Sequence, residues 1–479
     1  MSARHRGILL AAIVVSIAVA AVVLIVVRSG GGPAPATVPA ADATVASTSP
    51  PAQRSLALDG TVVWQSAPRA DRGALGTAGG LLVADEQGVR MLDPATGAER
   101  WHYRRGEPRS PQPPDGGGAP GDVDLGVVSE GGRTVAVNVG PRTNVNEPAR
   151  QGAATWVFDA VSGRLLADLP GRSAYAIVGD LVVTVTHRPG RITAFSVTGE
   201  SRWERAFDGC QEQAVPRVLA GPRGTVLVEE NCVGPVNHDE IAGRSWLWAL
   251  DRGTGATRWL WRAPVSGLSR TWPVGDTRPD RVLVDVRPQG VLGAAHTVVA
   301  IDLQTGSPLW TRENLVLDPA PPVAGSPNRP RYQWDVGWAR GTPVLVENTD
   351  TARFQDKVTV LAGLNPDTGA TSWTHVQRDT WRANADVVGG VVRPVLLSLR
   401  EGRLALAAVR LAADRSGIPL YSQLVLVPVE GDGRIAPVRP VVRAATGQWL
   451  TTQLAATPAG LVVTGRHAAT REQVAVTLA

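Results

Sequence analysis

The stretch DPATGAERW at 93–101 returns as DRGTGATRW from 251, DLQTGSPLW from 302 and NPDTGATSW from 365, always with Gly and Trp four apart. A chain that rewrites one nine-residue unit at wide intervals is assembled from copies of one supersecondary element, and neighbouring copies must supply each other's missing packing surface. In the first copy, short runs surround the unit: LLVAD at 81–85, VRMLD at 89–93, the turn PATG, then AERWHYR. Apolar or alternating runs of this length, broken by Gly, Asp and Pro, predict antiparallel strands joined by tight turns. Beyond residue 27 no stretch sustains a helical period.

The fixed letters have physical reasons. Asp93, Asp251 and Asp302 stand at strand ends, where a short carboxylate can accept backbone N–H groups across the turn, and Gly97, Gly255, Gly306 and Gly369 supply the positive φ such a turn needs. The Trp then falls at one constant place on the following strand, where a large ring can fill the gap to the next sheet with its N–H bonded to neighbouring backbone. The composition agrees, with 15 Trp against 4 Phe and 4 Tyr. Ordered by their Trp, the copies are Trp101, Trp203 (in the shortened SVTGESRW), Trp259, Trp310 and Trp373; DAVSGRLLA from 159 carries Ala167 in the Trp place, and PVEGDGRIAPV at 428–438 is degenerate.

The eighth copy is divided between the two ends. LALDGTVVW at 56–64 has Gly60 and Trp64 at the right spacing without preceding strands, and residues 460–479 supply two strands with no Trp strand after them. Pairing the Trp64 strand with the C-terminal strands closes a ring of eight units of about 53 residues, near the 40–50 of four-stranded blade repeats. The expectation is an all-β, eight-bladed β-propeller with four-stranded antiparallel blades over 56–479.

The pattern in WALDRGTGATRW and VAIDLQTGSPLW resembles the quinoprotein-type, PQQ-like repeat of eight-bladed propellers. That superfamily includes pyrroloquinoline quinone (PQQ) dehydrogenases and the non-enzymatic lipoprotein subunit of the outer-membrane barrel-assembly machinery. The resemblance covers 56–479 and implies the scaffold. Many of the enzymes add a vicinal Cys pair over the cofactor and Ca²⁺ ligands with an Asp base; here Cys210 and Cys232 are 22 apart and no carboxylate cluster answers to those roles. No cofactor or catalytic residue is therefore expected. A PQQ-dependent or other small-ligand-binding dehydrogenase or sensor ectodomain is the alternative reading.

The N-terminus carries a targeting signal. Arg4 and Arg6 precede an uncharged run from Gly7 to Val27, whose length matches a hydrocarbon core of about 30 Å and exceeds the roughly 7–15 apolar residues of a removable signal. The basic flank predicts the N-terminus inside and the remainder outside. Residues 28–55 are rich in Pro, Ala, Gly, Ser and Thr and read as a disordered tether with a reach of about 30 Å. The expected organisation is a short tail and signal anchor at 1–27, a linker at 28–55 and the propeller at 56–479, on the extracytoplasmic side of a single-pass membrane protein.

A net charge of +5 raises nucleic acid as a partner, but the basic residues are scattered and Lys357 is the only lysine, so none is expected. The seven His residues show no metal spacing. Cys210 and Cys232 have their midpoint at the turn GPRG (221–224), so a hairpin would bring them face to face and an oxidising compartment would join them; two separate thiols are the alternative. With the short turns on one face, the long connections 104–121, 140–152, 230–244, 314–330 and 347–357 gather on the other, where binding residues on a rigid scaffold belong. Asn144, Asn146, Glu147, His238, Asp239 and Glu240 are the candidates for meeting a protein or cell-wall polymer. Trp334 and Trp338 read as inter-blade packing rather than as an aromatic platform. A tether entering at the Trp64 strand, on the short-turn face, would point the long loops away from the membrane.

Overall fold

A computed structural model of the chain describes residues 40–44, 62–66, 74–84, 88–105, 123–139, 154–187, 190–206, 217–221, 225–232, 244–263, 268–273, 280–286, 296–315, 331–339, 342–350, 358–378, 388–398, 404–413, 419–429, 432, 439–444, 449–457, 460–467 and 473–478. All of them lie in one compact unit, Ala40–Ala479. The apolar run 7–27 expected as an anchor lies outside the described residues; among those described, no helix is long and apolar enough to cross a membrane.

The described strands form eight antiparallel sheets, six of them from four strands consecutive in sequence. The second sheet illustrates the unit: Val123–Val128, Thr134–Val139, Ala154–Asp159 and Leu165–Pro170 pair in that order. The last sheet joins the two ends of the chain. Val62–Ser66, the strand of Trp64, pairs with Gln473–Leu478, which pairs with Gly460–His467 and that with Trp449–Thr457. A chain end that completes a sheet begun by the other end removes an open edge.

The second strand of a unit carries a short apolar run, LLVA in Gly80–Ala84 and VLV in Arg281–Val286, because both its faces are covered. Gly80–Ala84 and Arg281–Val286 are buried at every position. The cores lie between sheets. One joins Leu82, Met91 and Trp101 of the first sheet to Val137, Trp156 and Phe158 of the second. Others join the second to the third, the third to the fourth and the fourth to the fifth. Inner strands continue the sequence of neighbours: Arg331–Ala339 packs on Val388–Ser398, and Ala74–Thr77 of the first sheet packs on Trp449–Thr457 of the last.

One expectation is corrected, and another falls outside the described residues. Residues 40–44, read as part of a disordered tether, form a fifth strand on the first sheet, Ala40–Thr44, antiparallel to the outer strand Glu99–Arg105. Backbone hydrogen bonding needs no large side chain, so a segment as plain as AADAT can add to an open edge. Ala40 faces Arg105, at the end of the outer strand away from the turn 93–98, so the chain enters this unit on the long-connection side and not at the Trp64 strand. The other concerns the cysteines. The ladder pairs Ala220 with Val226 and Arg217 with Glu229, which centres the described part of the hairpin two residues beyond the midpoint of Cys210 and Cys232. Cys232 sits opposite Arg244 on its other side, and Cys210, and with it the expected disulfide, lies outside the described residues.

Candidate functional site

The repeated letters build a clamp from one sheet to the next. Asp251 Oδ1 accepts the N–H of Gly253 and of Thr254, each at 3.0 Å, and the Thr254 hydroxyl at 3.0 Å. The Thr254 hydroxyl in turn accepts the Ala256 N–H at 3.3 Å, and the Gly255 N–H closes the turn on the Asp251 carbonyl. Asp93, Asp159, Asp302 and Asn365 repeat the motif through Oδ1. The shortened turn replaces the carboxylate with Ser196, whose hydroxyl accepts the Glu200 N–H at 3.0 Å.

In four of the sheets the tryptophan locks onto the turn of the next. The Trp101 indole N–H donates to the Ala160 carbonyl at 3.0 Å, Trp203 to Arg252 at 2.7 Å, Trp259 to Leu303 at 2.8 Å and Trp310 to Pro366 at 2.8 Å. In each case the acceptor is the residue after the turn's Asp or Asn. That same residue ties its own sheet together: the Ala160, Val197 and Leu303 N–H groups donate to the Arg133, Asp180 and Asp280 carbonyls of the first turn of the unit.

The ring itself lies on the turn glycine. A Cβ built on Gly163, Gly255, Gly306 or Gly369 would stand 2.5–2.7 Å from the indole of the preceding sheet, and all four have φ near +70° to +76°. Glycine is thus required here twice, for backbone conformation and for ring contact. Ala167 keeps the pattern in reduced form: a Cβ on Gly199 would meet its methyl at 3.2 Å, so a small residue faces the short turn.

Charged side chains reinforce two of these seams. Arg281 is buried and reaches from the fifth sheet to the sixth, donating to the Pro366 carbonyl and to Asp367 at 3.2 Å, while Asp280 holds its other side at 2.8 Å. The Asp280 carboxylate, followed by its charge and that of Asp367, raises the pKa of this guanidinium against the opposing effect of burial. Between the third and fourth sheets Arg205 lies 5.2 Å over the Trp248 ring, whose N–H donates to Glu230 Oε2 at 3.1 Å. Burial pushes the Glu230 carboxyl up despite that bond.

The two adjacent acids of this strand, Glu229 and Glu230, lie on opposite faces. Glu230 shares a strand face with Val228 towards the third sheet, whereas Glu229 alternates to the face of Leu227 towards the fifth, so the two carboxylates diverge. Among the described residues no three His, Cys, Asp or Glu side chains converge as a metal set. The rim candidates Asn144, Asn146, Glu147, His238, Asp239 and Glu240 lie outside the described residues. The strands flanking them, such as Thr134–Val139 and Ala154–Asp159, open towards them at the ends opposite the turn clamps. The strand of Trp334 and Trp338, Arg331–Ala339, belongs to the sixth sheet.

Known proteins give this arrangement a context. The family model PQQ_2, described as outer membrane protein assembly factor BamB, matches residues 41–312. The outer membrane protein assembly factor BamB of Kangiella koreensis is 28% identical over 163 residues, covering 34% of this chain and 36% of that relative. The match thus spans about a third of the relative's length. Among solved structures, the quinohemoprotein alcohol dehydrogenase ADHIIG of Pseudomonas putida HK5 is similar over 74% of this chain and 66% of its own, at 14% identity and a TM-score of 0.37. The β-propeller domain of the trilobed protease from Pyrococcus furiosus is similar over 80% of this chain and 98% of its own, at 9% identity and a TM-score of 0.39.

Proposed function

The chain belongs to the PQQ_2 family, described as outer membrane protein assembly factor BamB, and from that premise we propose that it is an extracytoplasmic binding scaffold of the cell envelope, built as an eight-bladed propeller. Its partner is a protein or a cell-wall polymer, and the rim of long connections is the surface that meets it. The N-terminal apolar run 7–27 holds it to the membrane. The observation that carries this reading is the division of labour within each repeat. Asp, Gly and Trp are engaged in the clamp between sheets, which leaves the variable connections at the opposite strand ends to carry specificity. Support for a closed ring comes from the pairing of Val62–Ser66 with Gln473–Leu478 and the packing of the first sheet on the last. Fold likeness does not carry function by itself.

The test is crosslinking in intact cells followed by affinity purification. The full chain is compared with a variant whose 140–152 and 230–244 connections are cut to short Gly-Ser turns. Partners lost from the variant are the expected result; an unchanged partner set refutes the rim as the working surface.

A further inference from the structure

We propose that the rim end of the seam between the third and fourth sheets binds a neutral pyranose unit of a cell-wall glycan. The proposal deepens the rim reading above and rests on it. Its starting point is Glu230, near the end of the strand Val226–Cys232 that leads into the connection 233–243. The residue is 1% exposed, its Oε2 accepts the Trp248 indole N–H at 3.1 Å, and its Oε1 has no hydrogen-bond partner among the described residues. The core on that face is apolar, with Val183, Val185 and Ile192 of the third sheet beside Val228. A buried carboxyl oxygen without a donor costs stability, so a hydrophobic residue would serve the seam better. A position that breaks a packing rule in this way is where binding is to be sought.

The neighbours supply a platform. Directly opposite residues of antiparallel strands share a face, which sets Trp246 beside Glu230, Arg262 beside Trp246 and Leu260 beside Trp248. Both tryptophans are half-buried, Arg262 is exposed, and Leu260, at 37%, is one of two large apolar side chains exposed among the described residues. The third sheet leaves this face partly uncovered. Its middle strands turn back through residues 188–189 alone, His187 pairing with Gly190, and Arg205 of its outer strand caps the Trp248 ring at 5.2 Å.

A sugar ring answers these features together. Its C–H face stacks on the Trp246 indole, one hydroxyl donates to Glu230 Oε1, and others accept from Arg262. A lysine or arginine from a protein partner would be repelled by Arg205 and Arg262, and a phosphate or carboxylate has no proton to give the Glu230 oxygen. Because Glu230 is closed off, entry requires the half-buried Trp246 ring to turn about its side-chain torsions, and the sugar then lies between the ring and the carboxyl.

Isothermal titration of the full chain with chitotetraose, in a detergent without a sugar headgroup, provides the test. The proposal expects binding to the native chain and an affinity about tenfold weaker or worse in Trp246→Ala, Arg262→Ala and Glu230→Met. Leu309→Ala, which alters the exposed leucine of the fifth sheet, should bind as the native chain does. Thermal unfolding adds a signature that a structural carboxyl would not give: Glu230→Met should melt no lower than the native chain while it binds more weakly, and a lower melting point overturns the proposal. No binding to the native chain, or unchanged affinity in the three site variants, overturns it and leaves the rim reading standing. That reading is decided separately by the loop-shortened chain. If Trp246→Ala removes a protein from the crosslinked set and chitotetraose does not bind, the occupant is a protein and the glycan site fails. Should Trp246→Ala not fold, Arg262→Ala, changed at an exposed position, decides in its place.

Discussion

Replacing Trp259 and Gly306, singly and together, tests the clamp at its centre. Trp259 is 7% exposed and its ring covers Gly306, where a new Cβ would stand 2.7 Å from Cγ and Cδ2 of the indole. Trp259→Ala removes a buried aromatic and is expected to cost about 3–5 kcal/mol. Trp259→Phe keeps most of the apolar contact but leaves the Leu303 carbonyl without its donor, a loss of about 1–3 kcal/mol. Gly306→Ala carries two costs: about 1–2 kcal/mol for a left-handed φ of 74° and about 1–3 kcal/mol for driving a methyl into the ring. Only the first persists once the ring is gone. The double variant Trp259→Ala/Gly306→Ala should therefore be less destabilised than the sum of the singles by about 1–3 kcal/mol. Gly171 is an internal control, since it has φ 67° and open space around its missing Cβ, so Gly171→Ala reports the backbone cost alone. The assay is urea denaturation of the full chain in detergent, paired with hydrogen exchange at the 302–307 turn. Strict additivity, or equal costs for Gly306→Ala and Gly171→Ala, would refute the ring-on-glycine account.

Arg281→Ala should destabilise by about 1–2 kcal/mol, chiefly by removing the charged donor to the Pro366 carbonyl between the fifth and sixth sheets, because its acidic partners Asp280 and Asp367 are well exposed and screened; denaturation midpoints check this, and an Arg281→Lys variant as stable as the native chain would contradict a role for the two guanidinium bonds to Asp280. Glu230 has its folded-state pKa raised by burial, so the stability it contributes is complete below the ordinary carboxylate range and is lost as pH rises through the raised value. Glu230→Gln should consequently gain on the native chain as pH increases, and parallel pH-stability curves would refute it. Asp251 has its pKa lowered by the Thr254 hydroxyl bond and then by the Thr254 and Gly253 N–H groups and the Arg258 charge, against slight burial, so its contribution is present above the ordinary carboxylate range and lost as pH falls. Thr254→Val should shrink that acid dependence, as followed by thermal unfolding between neutral and acid pH. Trp64 is the repeat's tryptophan on the strand that joins the two chain ends, so Trp64→Ala should raise exchange at 473–478 more than at 257–262.

The sequence made the clamp's side chains legible and hid its backbone. Asp251, Gly255 and Trp259 recur because a carboxylate, a positive φ and a large ring are each demanded of a particular residue type. The residue between them that receives the neighbour's indole is Ala160, Arg252, Leu303 or Pro366, four unrelated side chains, and Ala160 and Leu303 also tie their own sheets through the N–H. Its work is done by backbone atoms, so no letter marks it. The fifth strand was invisible for the same reason: AADAT pairs through its backbone, and its low apolar content reads as linker. Arg281 was hidden differently, because its partners lie 85 and 86 residues away on a turn already explained by its own motif.

That asymmetry bears on where function can be sought. A clamp whose fixed letters meet across sheets leaves little freedom on the turn side: a Cβ at Gly255 would strike Trp203, and the Arg252 side chain already lies near Asp180 at 3.8 Å. Substitution there is opposed by the neighbouring sheet before any ligand is considered. At the opposite strand ends no such repeat constrains the connections, and they vary in length from unit to unit. Variation is tolerated where it is structurally cheap, and recognition that must differ between related scaffolds can develop only there. The divergence of Glu229 and Glu230 fits the same division, since a buried acid pair turned to opposite faces serves two seams and not one ligand. If shortening 140–152 and 230–244 leaves binding intact while Arg252→Ala abolishes it without loss of stability, the division fails and the turn face is the recognition surface.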